Sequence, residues 1–192
     1  MKVFALCLES SVISVRKASG AAPLTSPPVT IDTFDPRQFS GYGFYYFKLH
    51  GLPEEHFWYG DDYITACSAE QLAACDMAGA IVFIANCHAL PLPDEDPSPM
   101  IQALFAAGAV AIVAGPGENY ARTRTIAGAD RLGKTFRMLT CSGMDPTKAF
   151  QLAKLQLQAI VAKRALGNKN THAGEDTLEF KLITNPKGLE HP

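Results

Sequence analysis

Apolar residues in this chain come in short continuous runs with no single period. Residues 3 to 8, VFALCL, are apolar throughout and stop at Glu9-Ser10-Ser11. So short a run without alternation predicts a strand covered on both faces, central in a sheet. The pattern returns in AIVFIA at 80 to 85 and in VAIVAG at 110 to 115, both rich in β-branched residues. YGFYYFKLH at 42 to 50 adds a strand of aromatic β-formers that ends on a histidine. The tail TLEFKLI differs, alternating Leu178, Phe180 and Leu182 with polar neighbours. That alternation predicts a half-exposed strand at a sheet edge.

Helix signals fill the gaps between these runs. Ser68 with Gln71 three positions on is a capping-box pattern, followed by Leu72, Cys75 and Met77 in a short helix. Ser98 and Pro99 start a second helix that must end near Gly108. A third carries Leu132, Phe136 and Leu139 and runs to Gly143. Asp145-Pro146 opens a longer fourth with Phe150, Ala153, Leu157 and Ile160 on one face, stopped by Gly167. Two stretches read as irregular. RKASGAAPLTSPP from Arg16 is turn chemistry, a loop or a hairpin, with only VTIDTF after it looking strand-like. GLPEEHFWYGDD after the histidine reads as an exposed loop. Strands alternating with helices predict a three-layer α/β sandwich with a mostly parallel sheet, one domain over 1–192 without internal repeats.

Composition narrows the setting. The 192 residues are 47% hydrophobic and 19% charged, a globular balance with ample material for a core. A formal net charge of -2 gives no electrostatic case for nucleic acid or an anionic membrane as partner. The apolar run at the N-terminus is shorter than the roughly 7 to 15 residues of a signal-peptide core, and no stretch approaches the roughly 20 apolar residues of a span. The expectation is a soluble, cytoplasmic protein. Five scattered cysteines (Cys7, Cys67, Cys75, Cys87 and Cys141), an odd number without a C-x-x-C pair, suggest neither a disulfide framework nor a zinc site. No metal or other cofactor is expected.

The α/β frame gives the chemistry a place. Ligands and catalytic groups in open α/β sheets gather beyond the carboxyl ends of the strands. YYFKLH delivers His50 to such an end and AIVFIAN delivers Cys87, with one helical crossover between the two strands. A crossover of that length returns parallel beside the first strand, so the side chains can meet at one rim. A free thiol, with an ordinary pKa of about 8.5, needs an imidazole to stabilise its thiolate or take its proton in acyl transfer. Gly51 would let its backbone N–H approach a tetrahedral oxyanion with no side chain in the way. Each residue also has a packing explanation, Cys87 as a small core hydrophobe and His50 as a hydrogen-bonded structural histidine.

FKLHG followed by AIVFIANCHA resembles the His-Gly and Cys segments of caspase-like cysteine peptidases, and the continuation resembles the CHAT branch. The order that carries the likeness is FAAGAVAIVAG after the cysteine strand, a helix, then G-x-x-P-x-x-A at Gly143 to Ala149 and a closing FKLITNP. It covers most of residues 43 to 186. The resemblance implies His50 as catalytic base, Cys87 as nucleophile and a protein or peptide as substrate. Such domains also work within larger systems, which implies a regulatory protein partner. The sequence departs from basic-specific metacaspases, which carry aspartate two positions before the nucleophile where this chain has Ala85. Substrate-binding residues are not identified. Asp61, Asp62, Asp94, Glu95 and Asp96 are acidic candidates or simply solvated loop, and His56 and Trp58 either line a cleft or pack on the surface.

Two features invite other readings. GPGEN after a strand looks like the start of a dinucleotide loop, but it lacks the third glycine, and position 120 is Tyr120. His88 beside Cys87 suggests a metal pair, yet neighbours on an extended chain point to opposite faces. Three classes remain at this level: a cysteine endopeptidase, a catalytically inactive binding or regulatory module on the same fold, and a nucleotide-binding α/β protein.

Overall fold

The computed structural model describes residues 1–91, 98–119, 123–166 and 179–185. The strands and helices in chain order are β1 (Val3–Leu8), α1 (Val12–Ser19), β2 (Leu24–Ser26), β3 (Phe44–Lys48), β4 (Phe57–Tyr59), β5 (Thr65–Ser68), α2 (Ala69–Ala73), β6 (Ile81–Ile84), α3 (Pro99–Ala106), β7 (Ala111–Ala114), α4 (Gly128–Cys141), α5 (Pro146–Leu166) and β8 (Lys181–Thr184). Six strands form one sheet in the order β2-β1-β3-β6-β7-β8. The first five are mutually parallel and β8 joins β7 antiparallel at the edge. A separate antiparallel hairpin pairs β4 with β5.

Strand geometry explains why the central runs carry no polar alternation. Successive side chains leave opposite faces, and here each face has its own core. Phe4, Leu6, Tyr45, Phe47, Val82, Ile84 and Ile112 join Leu72, Met77 and Leu104 from the α2 and α3 side. Ala5, Cys7, Phe44, Tyr46, Ile81, Phe83 and Val113 join Val15, Leu132, Phe136 and Phe150 from α1, α4 and α5. The expected three-layer sandwich with a mostly parallel sheet is the observed architecture. Among the described residues no helix is long and apolar enough to cross a membrane.

Several expected elements stand where they were placed. Ser68 caps α2 through a full capping box, accepting from the Gln71 backbone while the Gln71 side chain accepts from its own. Pro99 is the first residue of α3. Asp145 accepts the Lys148 N–H at the start of α5. The Gly167 stop and Leu178 lie outside the described residues.

The first forty residues and the loop after His50 need correction. RKAS closes α1, and β2 follows it, so that stretch is not simply a loop or hairpin. Thr33 Oγ1 accepts from Thr30 N at 2.8 Å and donates to Pro28 O at 2.9 Å, which holds VTIDTF in turns and keeps it out of the sheet. In GLPEEHFWYGDD the FWY segment is β4, and Trp58 is buried against Phe47 with ring centroids 5.0 Å apart. Trp58 therefore belongs to the core and lines neither a cleft nor the surface.

α4 comes close to the sheet through Gly133. A Cβ at that position would lie 2.7 Å from Phe83 Cε1 and 2.8 Å from Tyr46 Cε2, on rings that are fully buried. Alanine would gain about 1 kcal/mol of helix propensity, against about 1–3 kcal/mol for overpacking. Gly133→Ala is thus expected to destabilise the protein by up to about 2 kcal/mol in urea unfolding. A stabilised variant would mean that the helix can lift off the sheet freely.

Candidate active site

Parallel β3 and β6 are neighbours, paired from Phe44 with Ile81 to Phe47 with Ile84. Their carboxyl ends thus reach the rim together. Past β3, His50 exchanges two backbone hydrogen bonds with Tyr59, 2.8 Å and 3.0 Å, which fasten it to the β4–β5 hairpin. Past β6, Ala85 N still donates to Phe47 O at 2.7 Å. Asn86 then continues the ladder with its side chain, Oδ1 accepting from Leu49 N at 2.8 Å. With the side chain substituting for the main chain, the backbone is free to turn.

The turn falls on Cys87 and His88. His88 has φ 48°, a left-handed value that costs a non-glycine residue free energy. Extended geometry ends there, so the alternation expected of neighbours on a strand does not apply to Cys87 and His88. Both line one open cavity of about 220 Å³ together with His50, Gly51, Leu52, Tyr63, Glu118 and Asn119. Cys87 and His50, the two residues singled out in the sequence, therefore line the same cavity. Tyr63, another left-handed residue at φ 56°, stacks its ring on His50 with centroids 4.7 Å apart and planes 14° from parallel.

Gly51 is demanded by packing. A Cβ on it would fall well inside contact distance of the Cys87 carbonyl oxygen and 3.4 Å from Asn86 Cβ. The ends of the two strands can approach this closely only with glycine here.

GPGEN supplies the far wall. Gly117 O accepts from His88 N at 3.0 Å and Gly115 O from Leu90 N at 3.1 Å, so the segment after β7 pairs with the one after Cys87. Asn119 N donates to Cys87 Sγ at 3.2 Å, and Asn119 Nδ2 donates to Ala85 O at 2.8 Å. No sequence signal marked Asn119. Its partners are fixed only by tertiary packing of a loop whose glycines resembled an incomplete dinucleotide motif.

The five cysteines divide by environment. Cys7, Cys67 and Cys75 are buried. Burial pushes the Cys7 thiol up to about 12, against the opposing pull of the Lys48 ammonium. It also pushes Cys75 up to about 12 and Cys67 higher still. Cys87 and Cys141 are half-buried. Of these two, Cys87 lines the cavity.

Of the acidic candidates among the described residues, neither Asp61 nor Asp62 lines the cavity. Asp61 is bound to Ser10, Oδ1 accepting from the hydroxyl at 3.0 Å and Oδ2 from the N–H at 3.3 Å. Asp62 is exposed and left-handed at φ 55°. Asp94, Glu95 and Asp96 lie outside the described residues. Among the described residues no three His, Cys, Asp or Glu side chains are grouped to hold a metal ion.

Comparison with a solved structure tests the architecture. The chain superposes on the Arg-specific cysteine proteinase gingipain R with a TM-score of 0.57 at 16% sequence identity, over 95% of its own length and 46% of that chain. The fold is caspase-like. The chain spans less than half of that proteinase chain. No family model matches the sequence, and no curated protein does.

Proposed function

We propose that this chain is a cysteine endopeptidase of the caspase-like type, on the CHAT branch, acting on a protein or peptide with Cys87 as nucleophile and His50 as base. One observation carries the reading: a half-buried cysteine and a histidine line one cavity at the carboxyl ends of adjacent parallel strands. In the proposed reaction Sγ attacks the scissile carbonyl carbon as His50 takes the thiol proton. The Gly51 N–H stabilises the tetrahedral oxyanion. His50 then protonates the leaving amine, and water, deprotonated by the same imidazole, releases the acyl group and restores the thiol. The caspase-like fold supports this assignment.

A second reading has its own observation. The Cys87 sulfur accepts from Asn119, and the His50 ring stacks on Tyr63, an arrangement that also suits an inactive binding or regulatory module. Exposure to a peptidyl acyloxymethyl ketone, followed by peptide mapping, separates the two. The peptidase reading expects the label on Cys87, none on Cys7, Cys67 or Cys75, and cleavage of a peptide library by the unlabelled protein. Labelling of Cys141 in preference to Cys87, with no cleavage, would overturn it in favour of the module.

A further inference from the structure

We propose that Asn119 is a positioning residue for Cys87, whose backbone N–H holds the sulfur in its thiolate form while its side-chain amide locks that N–H in place. The proposal rests on Cys87 being the nucleophile.

A thiolate in a cavity needs nearby positive charge or aimed donors. Among the described residues lining this cavity there is no lysine or arginine, and Glu118 is acidic. His50 and His88 are the titratable cations available there, and His50 must be neutral when it accepts the thiol proton. Among the described residues, a main-chain donor is aimed at the sulfur. Asn119 N–H lies 3.2 Å from Sγ. Its own carbonyl oxygen, which the thiol proton can address, is further away at 3.9 Å. The N–H contact is the one that stabilises negative charge on sulfur, and it is the shorter of the two.

Such a donor helps only when its position is fixed. Asn119 Nδ2 donates to Ala85 O at 2.8 Å, and Ala85 N is bound to Phe47 O at 2.7 Å. Asn119 is therefore tied to the end of the sheet ladder, two residues before the sulfur it serves. Aspartate has the same shape but offers a carboxylate where the carbonyl needs a donor. Its charge would also oppose a thiolate.

The test uses full-length protein and iodoacetamide, following Cys87 and Cys141 separately by mass spectrometry from acid to alkaline pH. In Asn119→Asp the Cys87 alkylation rate near neutrality is expected to fall about tenfold relative to Cys141, with the rise of rate displaced to higher pH. Asn119→Ser, which removes the reach to Ala85 without adding charge, should shift the profile in the same direction. Asn119→Gln, which keeps an amide donor, should recover part of the rate. Superimposable Cys87 profiles in wild type and Asn119→Ser would overturn the proposal, and they remain decisive if the aspartate variant fails to fold. If the variants show the displacement while the wild-type protein cleaves no peptide, the peptidase reading is refuted and what stands is the effect of Asn119 on the reactivity of the Cys87 thiol. Cleavage with an unmoved profile would do the reverse.

Discussion

Replacing Gly51 with alanine is expected to lower the proposed peptide cleavage at least 100-fold while leaving a folded protein. The added methyl would overlap the Cys87 carbonyl oxygen, and neither side has an easy retreat. His50 is bound to Tyr59 in both directions, and the Cys87 turn is held by Leu49 through Asn86, by Gly117 through His88 and by Ala85 through Asn119. Relief must come from spreading the two strand ends apart, which separates His50, the proposed base, from Cys87, the proposed nucleophile. A misplacement of about 1 Å costs on the order of 100-fold in a reaction that depends on alignment. Overpacking adds about 1–3 kcal/mol of instability. Cleavage kinetics alongside thermal unfolding check both effects, and wild-type activity in the variant would show that the rim is far more pliant than its hydrogen bonds imply.

Asp130→Ala is expected to cost about 3–5 kcal/mol of stability, enough to bring a domain of ordinary stability close to unfolding. Asp130 and Lys48 form an ion pair at 2.6 Å, with side chains only 2% and 3% exposed. The carboxylate also accepts the Tyr46 hydroxyl at 2.7 Å, and the ammonium donates to Ser14 Oγ at 2.9 Å. Burial and the neighbouring carboxylate hold the Tyr46 phenol well above its ordinary pKa, so it remains a donor. Truncating Asp130 leaves the Lys48 ammonium buried without its carboxylate and the Tyr46 hydroxyl without its acceptor, the costly half of a broken pair. Removing both charges should be milder: Lys48→Met with Asp130→Leu is expected to recover most of the loss. Urea unfolding of the single and double variants checks this, and equal stability of Asp130→Ala and wild type would mean that water reaches the pair.

The same pair shows where sequence reading worked and where it failed. Strands β1, β6 and β7 were legible because cores lie on both sides of them, which removes polar positions from the run. β3 was legible from its aromatic residues, and the two ends that carry His50 and Cys87 followed from parallel order. Lys48 is a charged residue at the end of β3, yet it is buried, because its partner comes from α4, 82 positions away in the chain. Helix α1 was hidden by Ser14 and Ser19. Both are buried polar residues that break the apolar stripe, with Ser14 bonded to Ser11 O and to Lys48. Asn119 and Tyr63 escaped for a related reason: their contacts with Cys87 and His50 depend on where loops land. Gly51 was noticed, but as an oxyanion donor, whereas the geometry gives it a steric duty as well.

The cavity draws its walls from three places along the chain: 50–52 with Tyr63, then 87–88, then 118–119. During synthesis at about 5–20 residues per second, the ribosome releases the thiol and the imidazole well before the segment after β7. Until that segment docks, Cys87 lacks the donor at its sulfur and one wall of the pocket. For a chain with the proposed activity, an unfinished polypeptide would therefore hold the reactive atoms without the assembled site.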